Sequence, residues 1–143
     1  MIPYLQKTFQ VTDAQLDANG HVNNIEYVKW MQDVAVQHAD ECGLTMDVYR
    51  RLSVSWVART HHIDYLQSAY LDDAVVATTW LASAKRVSCL RRYRFTRNRP
   101  DGDLLATAET HWVYVDATSG RPKRVDRQVI EMFQMLGDEP DFV

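Results

Sequence analysis

Apolar side chains recur every three or four residues along Asn24–Cys42, and this spacing predicts a long amphipathic helix. The apolar face consists of Tyr27, Trp30, Met31, Val34, Ala35 and Cys42. Asn23 is a favourable N-cap, Glu26 follows it at capping-box spacing, and Gly43 is a natural end signal. At about 1.5 Å per residue the helix is about 28 Å long. A helix of this length with one apolar face needs a sheet or other helices to cover it.

Five segments predict strands, the first from its mixed apolar and polar character and the second from its many β-branched and aromatic residues. They are Tyr4–Val11, Val54–Leu66, Ala74–Ser83, Ser88–Arg97 and Leu104–Asp116. Short turns join the last four, and Asn98–Gly102, with Pro before Asp-Gly, is a strong hairpin signal, so these strands should pair antiparallel. A short helical turn is expected within Leu44–Ser53, and a final helix over Asp126–Leu136. The polar tail after it carries Pro140 and is expected to fray.

This order of elements predicts an α+β fold with residues 1–143 forming a single domain. One long central helix is expected against a five-stranded antiparallel sheet, with a short C-terminal helix. One helix leaves the other sheet face and an edge strand uncovered, and pairing with a second copy is the simplest remedy. We therefore expect a homodimer at minimum, with a homotetramer left open.

The composition is that of an ordinary globular protein, with 46% hydrophobic residues. A net charge of −3 argues against a general nucleic-acid binder. No apolar run approaches the about 20 residues that a membrane-spanning helix needs. The N-terminus lacks the basic and apolar regions of a signal peptide. Cys42 and Cys89 show no Cys-x-x-Cys pattern and suggest packed thiols in a reducing compartment. We expect a soluble cytoplasmic protein with no membrane or nucleic-acid partner.

The loop before the long helix carries Asp17, Asn19 and His21 at alternate positions. A helix N-terminus has backbone N–H groups without intrahelical partners and attracts negative charge. A carboxylate, an amide and an imidazole at such a point suit a site that stabilises a developing oxyanion. These are also common turn residues, and Asn23 can serve only as a cap. The loop chemistry alone leaves both interpretations open.

The segment Lys85–Arg99 is strongly basic, since it holds seven of the sixteen Lys and Arg residues and no acidic residue. Strand alternation sends Arg91 and Arg97 to one face of the sheet, and Arg92 and Arg94 to the other. One interpretation is a solvated edge strand protected by charge. The other is an anchor for a phosphate-bearing or acidic partner. A second basic cluster, Arg121, Lys123 and Arg124, precedes the last helix.

Other chemistry has little support in the sequence. His61 and His62 point to opposite faces of a strand and cannot share a metal ion. His62 and Asp64 share a face but lack a third ligand, so no metal site is expected. His38 and His111 are interpreted as packing residues. Phosphate-binding glycine loops and the Gly-x-Ser-x-Gly motif of serine hydrolases do not occur in the sequence.

The stretch Leu16–Tyr27 resembles the signature of hotdog-fold thioesterases. From Asp17 to Asn24 it follows the Asp-x-Asn-x-His-Val-Asn-Asn form of the acyl-acyl-carrier-protein thioesterases. The order strand, long helix, four strands is similar to the wider 4-hydroxybenzoyl-CoA thioesterase group, which includes bacterial long-chain acyl-CoA thioesterases. The resemblance covers most of the chain and implies a hotdog fold.

The resemblance also implies hydrolysis of a fatty acyl thioester of coenzyme A or acyl carrier protein, with coenzyme A only as part of the substrate and no other cofactor. Asp17 falls on the catalytic carboxylate, which acts either as nucleophile or as general base for water. Asn19 and His21 fall on the polar pair that accompanies it, and the backbone N–H near Asn24 falls where the thioester carbonyl is polarised. Two alternatives remain, a hotdog enoyl-acyl hydratase or dehydratase and a non-catalytic acyl-CoA-binding protein.

The substrate itself is expected to contact two groups of residues. The acyl chain is expected between protomers, beside Asn23, Tyr27, Trp30 and Met31. Basic residues are expected to hold the coenzyme A phosphates or an acidic carrier protein, namely Lys85, Arg86, Arg91, Arg97, Arg121 and Lys123. Gln15 stands where many relatives carry an acid or histidine, and a further downstream acid has no secure match.

Overall fold

The computed structural model describes residues 2–142 as one five-stranded sheet with a long helix against it. The strands are β1 (Tyr4–Gln10), β2 (Val54–Tyr65), β3 (Ala74–Ala84), β4 (Ser88–Arg97) and β5 (Leu104–Asp116). The α-helices are α1 (Asn24–Glu41), α2 (Met46–Leu52) and α3 (Arg127–Ile130), and a short 3-10 helix spans Asp13–Gln15. The predicted α+β class and all five strands are therefore confirmed, with ends that differ by at most one residue.

Neighbouring strands are antiparallel and follow the order β1-β3-β4-β5-β2. We call the sheet face that packs against α1 the inner face. Residues opposite each other on antiparallel strands share a face, so Arg91, Tyr93 and Phe95 on β4 lie on the inner face with their β3 partners Leu81, Thr79 and Ala77. The edge strands of the sheet are β1 and β2.

The main core forms between the inner face and α1. The face of α1 predicted from the spacing is buried, including Tyr27, Trp30, Met31, Val34 and Ala35. These side chains pack with the aromatic residues of the sheet, and Tyr27 meets Phe95 edge to face at 5.1 Å between ring centroids. Burying one face of α1 in this way stabilises the helix more than helix propensity does.

The N-terminus of α1 agrees with the predicted cap but not with the predicted capping box. Asn23 caps α1 as predicted, because its side chain accepts a hydrogen bond from the N–H of Ile25 at 3.2 Å. The predicted capping box with Glu26 is wrong, since Glu26 instead pairs with Lys29 at 3.2 Å along the helix surface. A capping box does form one element earlier, at the 3-10 helix that follows Thr12.

The C-terminal region departs most from the sequence prediction. The expected helix over Asp126–Leu136 shortens to one turn. After α3 the chain instead bonds to the last residues of β3, which extend past the region that β1 pairs with. There the N–H groups of Leu136 and Gly137 donate to β3 carbonyls at 2.9 and 3.0 Å. The tail packs on the sheet as far as Phe142, since Trp80 donates to Gly137 O at 2.9 Å and Phe142 packs against the Trp80 ring.

None of the helices within residues 2–142 combines the length and apolar character needed to cross a lipid bilayer.

Candidate active site

Asp17 begins a tight turn that leads the chain into α1. Leu16 and Val22 form an isolated antiparallel bridge at the base of this turn. Inside it, the Asp17 N–H donates to His21 O at 2.7 Å and the Gly20 N–H donates to Asp17 O at 3.1 Å. Gly20 has φ +77°, which glycine adopts without the strain of other residues. The turn is therefore held by its own backbone.

The Asp17 carboxylate is anchored through one oxygen only. Its Oδ1 accepts hydrogen bonds from the backbone N–H of Asn19 at 2.9 Å and of His21 at 3.1 Å. Its Oδ2 makes no hydrogen bond with any residue in 2–142, and the side chain is half-buried. The alternate spacing in the sequence thus reflects a backbone turn around the carboxylate. The exposed Asn19 side chain does not bond to that carboxylate, which is held in orientation with one oxygen available for chemistry.

His21 faces the loop 66–73 between β2 and β3. Its Nδ1 lies 3.4 Å from Ser68 Oγ, and its ring meets Tyr70 edge to face at 5.2 Å. Backbone pairing between His21 and Tyr70 joins the two segments. Ser68 and Tyr70 carry no functional signal in the sequence beyond a turn before β3.

Arg97 holds that loop in place. It donates to Ser68 O at 2.9 Å and forms an ion pair with Asp73, whose carboxylate also accepts the Tyr70 N–H at 2.9 Å. Asp103 lies 3.6 Å from the other side of the guanidinium. The charge of Arg97 is already paired with two carboxylates, and its contact with a phosphate stays a prediction. Arg97 positions the loop that contacts His21.

The N-terminus of α1 presents further polar groups beside the turn. The Asn24 N–H makes no hydrogen bond within the described part of the chain, while the Asn24 carbonyl accepts from Tyr65 Oη at 2.9 Å. Tyr65 ends β2, so this contact joins the end of β2 to the start of α1. An N–H left free in the first turn suits a developing negative charge.

The residues predicted to lie beside the acyl chain belong to the core of this chain. Tyr27 is 3% exposed, Trp30 4% and Met31 0%, so none reaches the surface of a single chain. Burial raises the pKa of Tyr27 to about 12, so its hydroxyl remains protonated at neutral pH. Their contact with an acyl chain, like that of Asn23, stays a prediction.

Arg91 is buried and therefore offers no surface for a carrier protein, while its contact with a phosphate stays a prediction. It lies on the inner face with 4% exposure, and its Nη1 donates to His38 Nδ1 at 2.9 Å and Thr79 Oγ1 at 3.0 Å. Burial, with the adjacent Arg91 charge, lowers the pKa of His38 to about 4. The predicted division of the arginines between the sheet faces is nevertheless confirmed, since Arg92 and Arg94 alternate to the outer side.

Four of the exposed basic residues gather at one end of the sheet. They are Lys85, Arg86, Arg121 and Arg124, here called the basic end, and all are exposed. The Val125 N–H donates to Arg86 O at 2.9 Å, which brings the segment before α3 against the β3–β4 turn. None of the four lies within 4.0 Å of a carboxylate among the residues described. Lys123, the last of the residues predicted to hold the phosphates or a carrier protein, is half-buried and pairs with Asp126 at 3.4 Å.

A cysteine nucleophile and a metal site find little support among the described residues. Cys89 is 6% exposed, and burial raises its pKa to about 12, so it is a protonated thiol at neutral pH and a poor nucleophile. His62 Nε2 lies 3.2 Å from both Asp64 oxygens, and no third side chain joins them as a ligand group anywhere in 2–142.

Known proteins share both the sequence pattern and the architecture. A family model described as the acyl-ACP thioesterase N-terminal domain matches residues 4–133. Oleoyl-acyl carrier protein thioesterase 2, chloroplastic, of Arabidopsis thaliana is 27% identical over 105 residues, which are 69% of this chain and 28% of that protein. The chain thus spans less than a third of that relative's length.

Two solved structures show the same fold at low identity. An acyl-ACP thioesterase from Bacteroides thetaiotaomicron aligns with a TM-score of 0.84 and 17% identity, covering 99% of this chain and 56% of that one. The 4-hydroxybenzoyl-CoA thioesterase of Pseudomonas sp. strain CBS-3 aligns with a TM-score of 0.82 and 20% identity, covering 92% and 99%. The predicted hotdog fold is thereby confirmed.

Proposed function

This chain belongs to the acyl-ACP thioesterase N-terminal domain family, and from that membership we propose that it hydrolyses a fatty acyl thioester of coenzyme A or acyl carrier protein to the free acid and thiol. The observation that carries the proposal is the Asp17 carboxylate in the turn that leads into α1. One of its oxygens is fixed by two backbone N–H groups, and the other is unengaged.

Thioester hydrolysis needs an attacking oxygen and donors for the oxyanion. In one route Asp17 Oδ2 attacks the carbonyl carbon, the C–S bond breaks, and water then cleaves the acyl–aspartyl anhydride. In the other route Oδ2 takes a proton from water while that water attacks, and the proton passes to the leaving thiolate. The free Asn24 N–H supplies a donor for the carbonyl oxygen in both. His21, whose Nδ1 lies 3.4 Å from Ser68 Oγ, is the proposed proton carrier.

A second copy of the chain would complete this site. The basic end and the Asp17 turn lie at opposite ends of β3, which spans about 33 Å at about 3.3 Å per residue. Coenzyme A phosphates held at the basic end would therefore lie far from Asp17 of the same chain.

Pairing through the edge strand β2 can bring the basic end of one copy near the Asp17 turn of another. Its end, at Tyr65, bonds to Asn24 at the start of α1. Its beginning, at Val54, pairs with Asp116, whose N–H bonds to Arg121 of the basic end at 2.9 Å. Antiparallel pairing of two β2 strands about a two-fold axis would place the beginning of one against the end of the other. The basic end of one copy would then flank the Asp17 turn of its partner, in a homodimer or a tetramer built from such dimers.

The test is thiol release from a panel of acyl-CoA and acyl-carrier-protein substrates by wild type, Asp17→Asn and Asp13→Asn. Asp13 is an exposed aspartate four positions away, so it is a matched control for the same substitution. Asp17→Asn should reduce hydrolysis by about a hundredfold or more, with an unchanged unfolding midpoint, while Asp13→Asn should match wild type.

Wild-type turnover in Asp17→Asn would remove the assignment of this residue. Consumption of an enoyl-CoA without thiol release would favour a hydratase. Protection of the fold by acyl-CoA without any turnover would favour a binding protein.

A further inference from the structure

A large cavity lies away from the Asp17 turn, between the second half of α1, α2 and the inner face of the sheet. Its volume is about 630 Å³, which is in the range of small-molecule sites. The apolar part of its wall includes Leu44, Tyr49, Val54, Trp56, Leu81 and Phe133. The exposed side chains of Val36 and Met46 also border it and form its mouth. Gln32, the first α1 residue that lines it, is about 12 Å along the helix from Asn24.

One wall residue is a buried cation without a counter-ion. Arg91 lines the cavity. The two hydrogen bonds that it donates to residues in 2–142 both start from Nη1, and they end on the neutral acceptors His38 and Thr79. No carboxylate lies within 4.0 Å of it in that range, although Asp40 borders the same cavity. The N–H groups of its Nε and Nη2 therefore have no hydrogen-bond acceptor among residues 2–142.

This arrangement is unfavourable unless something pairs with the charge. Arginine stays protonated in proteins, and a buried charge normally has a partner of opposite sign. The attraction between opposite charges is also stronger in a low-dielectric interior than at the surface. An apolar cavity that contains one unpaired guanidinium is complementary to an apolar molecule with one anionic end.

We propose that this cavity binds a linear aliphatic carboxylic acid, with the carboxylate on Nε and Nη2 of Arg91 and the chain running toward Val36 and Met46. The reverse orientation would place a methyl group against the guanidinium and leave the charge unpaired. A free fatty acid belongs to the product class of the proposed hydrolysis. Its binding here goes beyond that function, because it requires no turnover.

The experiment is calorimetric titration with dodecanoate and with dodecan-1-ol, which shares the chain and lacks the charge. Wild type should bind dodecanoate at least about tenfold more tightly than the alcohol, because hydrogen bonds between charged groups are stronger than those of a neutral hydroxyl. Arg91→Met should bind the two with similar affinity. Ala39→Phe, which places a phenyl ring in the cavity, should lose both ligands.

A further variant separates this cavity from the catalytic turn. Asp17→Asn should bind dodecanoate as wild type does, and it should do so even if the protein proves to hydrolyse nothing. Equal affinity of wild type for acid and alcohol, or no binding of either below the micellar concentration, would overturn the proposal. Dodecanoate binding that survives Ala39→Phe would overturn it as well. If Arg91→Met does not fold, the acid–alcohol comparison on wild type and the Ala39→Phe result still decide.

Discussion

Nη1 of Arg91 lies 2.9 Å from Nδ1 of His38 in the interior of the protein. Because arginine only donates, Nδ1 must accept, and the imidazole proton must lie on Nε2. Nε2 then donates to Ile2 O at 2.7 Å, which ties the segment before β1 to α1. His38 is therefore a neutral imidazole of one tautomer, and a second proton would break its bond with Arg91.

This contact predicts a loss of stability in acid. The folded pKa of His38 is about 4, below its ordinary 6.5, so the unfolded chain binds the extra proton first. The free energy of unfolding should then fall as the pH drops from 6.5 toward 4, by about 2 kcal/mol between about pH 7 and about pH 5. Urea denaturation should show this slope in wild type and a shallower one in His38→Gln. The exposed His62→Gln is the control and should keep the wild-type slope. Parallel wild-type and His38→Gln profiles would contradict this origin.

The position of Arg97 predicts an effect on catalysis without contact to substrate. Arg97→Gln removes the ion pair with Asp73 and loosens the loop that meets His21. We expect faster amide hydrogen exchange over residues 68–73 and a kcat reduced by about tenfold, with the exchange of β4 retained. Arg99→Gln, which breaks only an exposed pair with Asp101, is the matched control. Unchanged exchange in this loop would show that Arg97 does not hold it.

The basic end predicts a change in substrate affinity. The double variant Arg86→Ala and Arg121→Ala should raise KM for acyl-CoA about tenfold and leave kcat nearly unchanged, because phosphate contacts bind ground state and transition state alike. The KM of the variant should also respond less to added salt. Arg94→Ala, an exposed arginine on the outer face, serves as the control. A fall in kcat with constant KM would argue against a phosphate-binding role.

The free edge of β2 predicts dependence of activity on assembly. Val57 is 51% exposed on this strand, and Val57→Asp places a charge where a second β2 strand would pair. Sedimentation should show a monomer with little hydrolysis, although Asp17 is intact. Val57→Thr keeps the β-branched shape without the charge and should remain dimeric and active. A fully active Val57→Asp monomer would refute a site shared between copies.

Local pattern was sufficient for much of the architecture. The helix face from Tyr27 to Ala35 followed from periodicity, because the side that faces the core must be apolar at every turn. The bounds of the strands followed from residue type and from the turn residues between them. The motif around Asp17 also located the turn and the cap at Asn23. The C-terminal helix was overestimated because the backbone of Leu136 and Gly137 found partners on β3, which no local propensity reveals.

The sequence by itself determined the elements, the family resemblance and the residues at the candidate site. Only the tertiary structure decided which charges are free to act. Arg91 and Arg97 were indistinguishable from Arg86 as surface anchors until packing placed one against His38, 53 positions away, and the other against Asp73. The physical reason is that alternation assigns a side chain to a face of the sheet, while its burial and its partners depend on what distant segments bring to that face.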